Sequence, residues 1–261
     1  MTAVEAPPGA RVVTGPGAPR VEGPDKVTGR ARYAGDHRPD DLAHVWPVPA
    51  TIAKGAVRSV HAEAVRALPG VLAVLAPGDV PALARADTPD MAVFQSPQVA
   101  YRGQWVAAVV ATTLEVARDA AELLPIDYEA EDHDVALRAD HPGLYTPRRV
   151  NPNYPADSVI GEPDDAWAAA PVRIDATYET PAQHNHPMEP HTTVARWDGD
   201  HLTLWDSNQG VSRVQPVLAA AFGLERRQVT VISEHVGGGF GSKGTPRPNA
   251  ILAALAARVV D

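Results

Sequence analysis

The sequence predicts an α+β protein, and three observations lead there. Strand and helix patterns follow one another in the first half of the 261-residue chain, and an Asp-Gly hairpin signal stands in the second. Twenty-six prolines cut the chain into elements too short for a helical bundle.

Residues 1–20 mix Pro, Gly and Ala without periodicity, which predicts an irregular arm. A first globular segment follows over residues 21–134. In it "VHAEAVRALPG" reads as a helix stopped by Pro69-Gly70, and "VLAVLAPGDVP" as a buried strand with a turn behind it. "WVAAVVAT" is a second buried strand. "TLEVARDAAELL" has apolar residues at helical spacing behind an N-cap at Thr112 or Thr113, and "IDYEAE" alternates as a half-buried strand does. Residues 135–162 are rich in proline and carry no periodic run, so they read as a linker.

The second segment, residues 163–261, opens with the short helix "PDDAWAAAP", whose acidic first turn suits the helix dipole. "VRIDATYET" alternates as a strand. "TTVARW" and "HLTLWD" flank "DGD" as a hairpin, and "VSRVQPVLAAAFGL" reads as a helix that tolerates Pro216 only in its first turn. "RQVTVIS" is a strand, and "NAILAALAARVVD" an apolar helix at which the chain stops without a polar tail.

Composition narrows the function. A 44% hydrophobic and 21% charged chain has core enough for two modest domains. A net charge of −9, with no basic cluster interleaved with aromatics, argues against nucleic acid as a partner. With no cysteine, the chain itself holds no disulfide, thiolate zinc site or thiolate-bound iron–sulfur cluster. Its N-terminus lacks the apolar core of a signal peptide, and no run approaches the roughly 20 apolar residues of a membrane span. The expected compartment is the cytoplasm.

Three stretches could carry chemistry. The first, "EHVGGGFGSKGTPRPN", packs five glycines between Gly237 and Gly244. Gly239, Gly241 and Gly244 satisfy G-x-G-x-x-G, but Pro246 and Pro248 delay the helix that a dinucleotide loop needs at its second glycine. A P-loop is excluded because Ser242 precedes Lys243. Two readings remain: a nest of backbone N–H groups for an anionic group, with Lys243 adding charge and Phe240 forming a wall, or a tight turn filled by a buried Phe. The second stretch, "TPAQHNHPMEPHTT", places His184, His186 and His191 beside Gln183 and Glu189; Pro187 and Pro190 keep it extended, so an ordinary polar loop competes with zinc. In the third, "WDSNQGVSRV", the Gln209 amide sits at a strand-to-helix junction, suited to donate to a ligand oxygen or to cap the helix.

In the order "QHNHPMEP", "LWDSNQG", "VGGGFGSK", these stretches resemble the molybdenum hydroxylases, the xanthine dehydrogenase and aldehyde oxidase family. "DKVTGRARYAGD", "RALPGVLAVLAPGDVP" and the run from "VAYRGQWVAAVV" to "IDYEAE" look like that family's a/b hammerhead domain. The resemblance spans residues 21–261, and "PATIAKG", "PMEPHTTVARW" and "FGSKG" are most similar to the cofactor subunit of bacterial periplasmic-type aldehyde oxidoreductases.

The resemblance implies a hammerhead domain over residues 21–134 and the first part of a molybdopterin cofactor-binding domain over 163–261. It places the Gln209 amide near an oxo ligand of molybdenum, and Gly238, Gly239, Phe240 and Gly241 against the metal and pterin, with no direct protein ligand. Gly244 stands where purine-oxidising members carry a substrate-binding glutamate, which favours aldehydes over xanthine. The implied cofactor is molybdenum-molybdopterin in its cytosine dinucleotide form. Electrons would pass to [2Fe-2S] and FAD partner subunits in a heterotrimer, and export with such a partner is the alternative to a cytoplasmic location. The family's cofactor subunit is several hundred residues longer and bears its general-base glutamate near the C-terminal end. The chain is accordingly expected to be an N-terminal fragment or split product, inactive alone, with no catalytic residue of its own.

Overall fold

The computed structural model describes residues 19–86, 88–136, 138–151 and 154–260. The arm expected over residues 1–20 lies outside them except for its last two positions. Among the described residues two compact units are formed, one from the chain up to Ala130 together with the chain from Asn185 onward, the other from Glu131–His184.

In the larger unit a one-turn helix α1 (Gly23–Val27) precedes two three-stranded antiparallel sheets. The first joins β1 (His44–Pro49), β3 (Val71–Leu75) and a central β5 (Trp105–Ala111), in the order β1-β5-β3. The second joins β2 (Gly55–Val60), β4 (Gln98–Val99) and β6 (Ile126–Ala130), in the order β4-β2-β6. Every residue of β5 from Val106 to Ala111 is buried, which is why that strand reads as a continuous apolar run rather than an alternating one. The helix expected around residues 60–70 is a single turn, α2 (Glu63–Arg66), because Pro69-Gly70 ends it early. Helix α3 (Leu114–Glu122) is capped by Thr113, whose side chain accepts from the Val116 N–H at 3.2 Å, and it buries Ala117, Ala120 and Ala121.

Residues 185–260 of the same unit form a third sheet. Strands β9 (Thr193–Asp198) and β10 (His201–Asp206) pair antiparallel around Gly199-Asp200, with Gly199 at φ +57°. From β10 the chain crosses through α5 (Val211–Phe222) to β11 (Val229–Ile232), which lies parallel to β10. Pro216 falls inside α5, beyond its first turn. The expectation for Pro216 is thereby corrected: burial of Val214, Leu218, Ala219 and Ala221 on the core face outweighs one lost backbone hydrogen bond. Helix α6 (Pro248–Val259) covers β9, and the Trp197 indole N–H donates to the Ala254 carbonyl at 2.9 Å. One core joins both stretches of chain, with Leu75, Phe94 and Val110 in the same cluster as Leu204, Leu218, Ile251 and Leu255.

The second unit has a two-stranded ribbon of β7 (Arg149–Asn151) and β8 (Tyr154–Pro155), followed by α4 (Pro163–Ala169). The ribbon falls inside residues 135–162, the stretch read as a linker. The strand expected from "VRIDATYET" does not form: Val172, Ile174 and Tyr178 are exposed, and alternation makes a strand only where a neighbour takes its backbone hydrogen bonds.

Candidate functional site

The glycine run occupies the connection between β11 and α6, and its base is closed by one carboxylate. Glu189 Oε2 accepts from the Gly237 N–H at 2.7 Å and from Lys243 Nζ at 2.8 Å. Lys243 Nζ also donates to the Glu189 carbonyl at 2.7 Å, and the Glu189 N–H donates to the Gly237 carbonyl at 3.1 Å. Gly237 has no room for a side chain, since a Cβ there would lie 2.5 Å from that of Glu189.

Beyond Gly237 the backbone turns sharply. The Ser242 N–H and hydroxyl both donate to the Gly239 carbonyl, at 2.8 and 2.7 Å, and close a four-residue turn. Its central residues, Phe240 and Gly241, have φ of +46° and +87°. Glycine adopts such angles freely; in phenylalanine they cost about 1–2 kcal/mol. The strained turn leaves Phe240 74% exposed, while the Asn185 amide donates to the Phe240 carbonyl.

Gln209 lies across this turn. Its N–H donates to the Lys243 carbonyl at 2.8 Å, and a Cβ on Gly239 would stand 2.5 Å from its Oε1. The glutamine amide therefore rests on bare backbone. Asn208 fixes the approach, accepting from the Gly210 N–H at 2.7 Å and donating to the Thr245 carbonyl at 2.9 Å, while Arg247 Nε donates to the Ser242 carbonyl at 2.7 Å.

Polar groups continue beneath the loop. Asp206 is buried, and that burial raises its pKa against the hydrogen bond it accepts from Thr193 Oγ1, a hydroxyl that accepts in turn from Asn249 Nδ2 at 2.6 Å. Burial lowers the pKa of His191, and the nearby charges of Lys243 and Arg247 lower it further. At the loop's entry His37 stacks on Trp205 at 5.4 Å and approaches Glu234 at 3.9 Å, so "YAGDH" of the first segment packs beside the loop.

The structure thus joins Gln209, Gly238, Gly239, Phe240 and Gly241 in one place. Three sequence readings are corrected. Lys243 adds no charge for an incoming anion, because it is fully buried and paired with Glu189. Phe240 does not fill the turn; a positive φ turns it outward. Gln209 does not cap α5, whose N-cap is Gly210. Sequence reasoning passed over Glu189 and Asn185 as residues of the loop's own frame. The available signal was an acid set between Met188 and Pro190, with nothing to say which cation it meets. Among the described residues no group of three or more His, Asp or Glu side chains is placed to hold a metal ion. The loop offers backbone N–H groups, one neutral amide and an aromatic face, a set that fits a group held by hydrogen bonds and packing.

Two family models match this architecture: the a/b hammerhead domain of aldehyde oxidase and xanthine dehydrogenase over residues 28–132, and the molybdopterin cofactor-binding domain over residues 146–261. The chain belongs to the aldehyde oxidase and xanthine dehydrogenase family of molybdenum hydroxylases, in its molybdopterin-binding part. It is 38% identical to the aldehyde oxidoreductase molybdenum-binding subunit PaoC of Escherichia coli strain K12, over 92% of this chain and 33% of the relative. It is 31% identical to the xanthine dehydrogenase molybdenum-binding subunit of E. coli O157:H7, over 86% of this chain and 32% of that one. Its fold matches the crystal structure of quinoline 2-oxidoreductase from Pseudomonas putida 86 with a TM-score of 0.74, at 26% identity, over 92% of this chain and 32% of that chain. The chain spans about a third of the length of these relatives.

Proposed function

We propose that the chain contributes the hammerhead domain, residues 21–134, and the first part of the cofactor domain, residues 163–261, to a molybdenum hydroxylase that oxidises aldehydes to carboxylic acids. The observation that carries this reading is the Gln209 amide seated on the bare backbone of Gly239 beside an outward Phe240. When bound, molybdenum-molybdopterin, in our reading the cytosine dinucleotide form, supplies the two-electron oxidation: aldehyde and water become acid, two protons and two electrons. The chain's own residues hold and orient. Gln209 would offer its amide N–H groups to an oxygen of the cofactor, Gly238, Gly239 and Gly241 would let the group approach the backbone, and Phe240 would shield it from water. We further propose that the general-base glutamate comes from outside the third of the subunit that this chain spans. Iron–sulfur and FAD subunits take the electrons, which suits a chain without cysteine.

Gly244 favours aldehydes over purines. A Cβ there meets nothing within 4 Å, so a glutamate would fit and this chain does without one. The second reading, hydroxylation of a purine or other N-heterocycle, draws on the xanthine dehydrogenase relative, whose name describes that chemistry. A third is an assembly module without catalysis, in which the hammerhead domain docks partner subunits. Among the described residues no helix is long and apolar enough to cross a membrane. Our reading of the compartment stays with the cytoplasm, export with a partner being the alternative.

The test is co-expression with a polypeptide for the remaining two-thirds and with the iron–sulfur and flavin subunits, followed by molybdenum analysis and aldehyde and purine assays. Stoichiometric molybdenum with aldehyde turnover supports the proposal. Molybdenum with purine turnover alone supports the second reading, and absence of molybdenum from every complex supports the third. Aldehyde oxidation by the 261-residue chain without molybdenum would overturn the proposal.

A further inference from the structure

We infer that the Glu189–Lys243 pair is a positioning device, a staple that closes residues 237–243 at the base and thereby holds Gly239 beneath Gln209 and Phe240 outward. The inference rests on the reading that this loop faces the cofactor.

Three features set the pair apart from an ordinary core ion pair. A single oxygen, Glu189 Oε2, binds the amide at the start of the loop and the ammonium at its end. The main chain of Lys243 is the acceptor for the Gln209 N–H, so the residue that closes the loop also anchors the glutamine. Burial of the pair is nearly complete, with side-chain exposures of 0% for Lys243 and 10% for Glu189, while Glu189 Oε1 is buried without a partner. Burying two charges is expensive, and replacing such a pair by apolar groups is often neutral or stabilising. Overall stability alone does not account for it; a fixed loop geometry does. The strained φ of Phe240 needs that support, since an unconstrained phenylalanine would relax to a negative φ.

The test is amide hydrogen exchange of the 261-residue chain, read at Ser242 and Gln209. Neither amide bonds to Glu189, yet both report on the turn and its anchor. Glu189→Ala leaves the buried Lys243 charge unpaired and destabilises the whole unit, so the readout is the excess over the core: both amides accelerate at least about tenfold more than amides of the core strand β10 and of helix α5. In Glu189→Gln, which keeps an acceptor for Gly237 and Lys243, they return to within about threefold of the parent. The double variant Glu189→Met/Lys243→Met keeps the core folded without a buried unpaired charge, and its loop exchanges as fast as that of Glu189→Ala. Unchanged loop exchange in either staple-less variant overturns the inference, as does acceleration shared equally by the core. The cofactor reading is judged separately by molybdenum content. A slow parental loop in complexes that never take up molybdenum would sink that reading and leave the staple standing.

Discussion

Substitution of alanine at Gly239 and at Gly237 separates recognition from folding, because the two glycines are crowded by different things. At Gly239 a Cβ would lie 2.5 Å from Gln209 Oε1 and 2.9 Å from its Cδ. These are the free end of an exposed side chain, which can swing away for about 0.5–1.5 kcal/mol. For a domain of this size that loss lowers the melting temperature by roughly 2–4 °C per kcal/mol. At Gly237 a Cβ would lie 2.5 Å from Glu189 Cβ and 3.3 Å from its backbone N. Glu189 cannot yield without breaking its exchange with Gly237 and loosening Lys243, so overpacking and a disturbed buried charge combine to about 3 kcal/mol or more. Thermal unfolding of the chain and molybdenum content of the assembled complex read the two effects. Gly239→Ala should melt close to the parent yet lose most of its molybdenum, because the displaced Gln209 amide no longer rests on the loop. Gly237→Ala should melt far below. Equal melting of the two variants, or a full molybdenum complement in Gly239→Ala, would refute the reasoning.

Phe240→Gly removes the left-handed strain of about 1 kcal/mol and adds a comparable backbone entropy cost, so the melting curve should stay within about 1 kcal/mol of the parent. Aldehyde kcat/KM of the complex should nonetheless fall at least about tenfold as the wall is lost, which steady-state kinetics will show. Gly244→Glu meets no atom within 4 Å of its Cβ and should fold with a stability change within about 0.5 kcal/mol. On the aldehyde reading it should raise KM for aldehydes and confer inhibition by purines, measured as KM and Ki. Asp206 has its pKa raised by burial, so its folded form holds a proton more tightly than its unfolded form. Its contribution to stability is therefore complete below the unfolded carboxylate value and is lost as pH rises through the folded one. Asp206→Asn keeps an acceptor for Thr193 and removes the charge; its denaturation midpoint at pH 7 should exceed the parent's, and the gap should close in acid. Parallel midpoint–pH curves would rule this out.

What was legible in the sequence was what local pattern decides. The all-apolar β5, the Thr113 cap of α3 and the hairpin at Gly199 each follow from residues within a few positions of one another. The edge strand β1 was missed because Pro47 and Pro49 argue against a strand, an argument that weakens at the border of a sheet, where β1 lies. Pro216 and "VRIDATYET" failed for the opposite reason, local pattern being overruled in one case by a core and in the other by the lack of a partner strand. At the site, motif order brought together Gln209 and the residues from Gly238 to Gly241, but charge misled. A lysine beside five glycines reads as an anion binder until Glu189, 54 residues upstream, is seen to hold it. Because that cation is spent internally, what the loop presents to an incoming group is neutral: backbone N–H groups, one amide and a ring. On the cofactor reading, recognition then depends on loop geometry more than on field strength. For that reason substitutions that shift the loop by an ångström should cost more molybdenum than substitutions that change the surrounding surface charge.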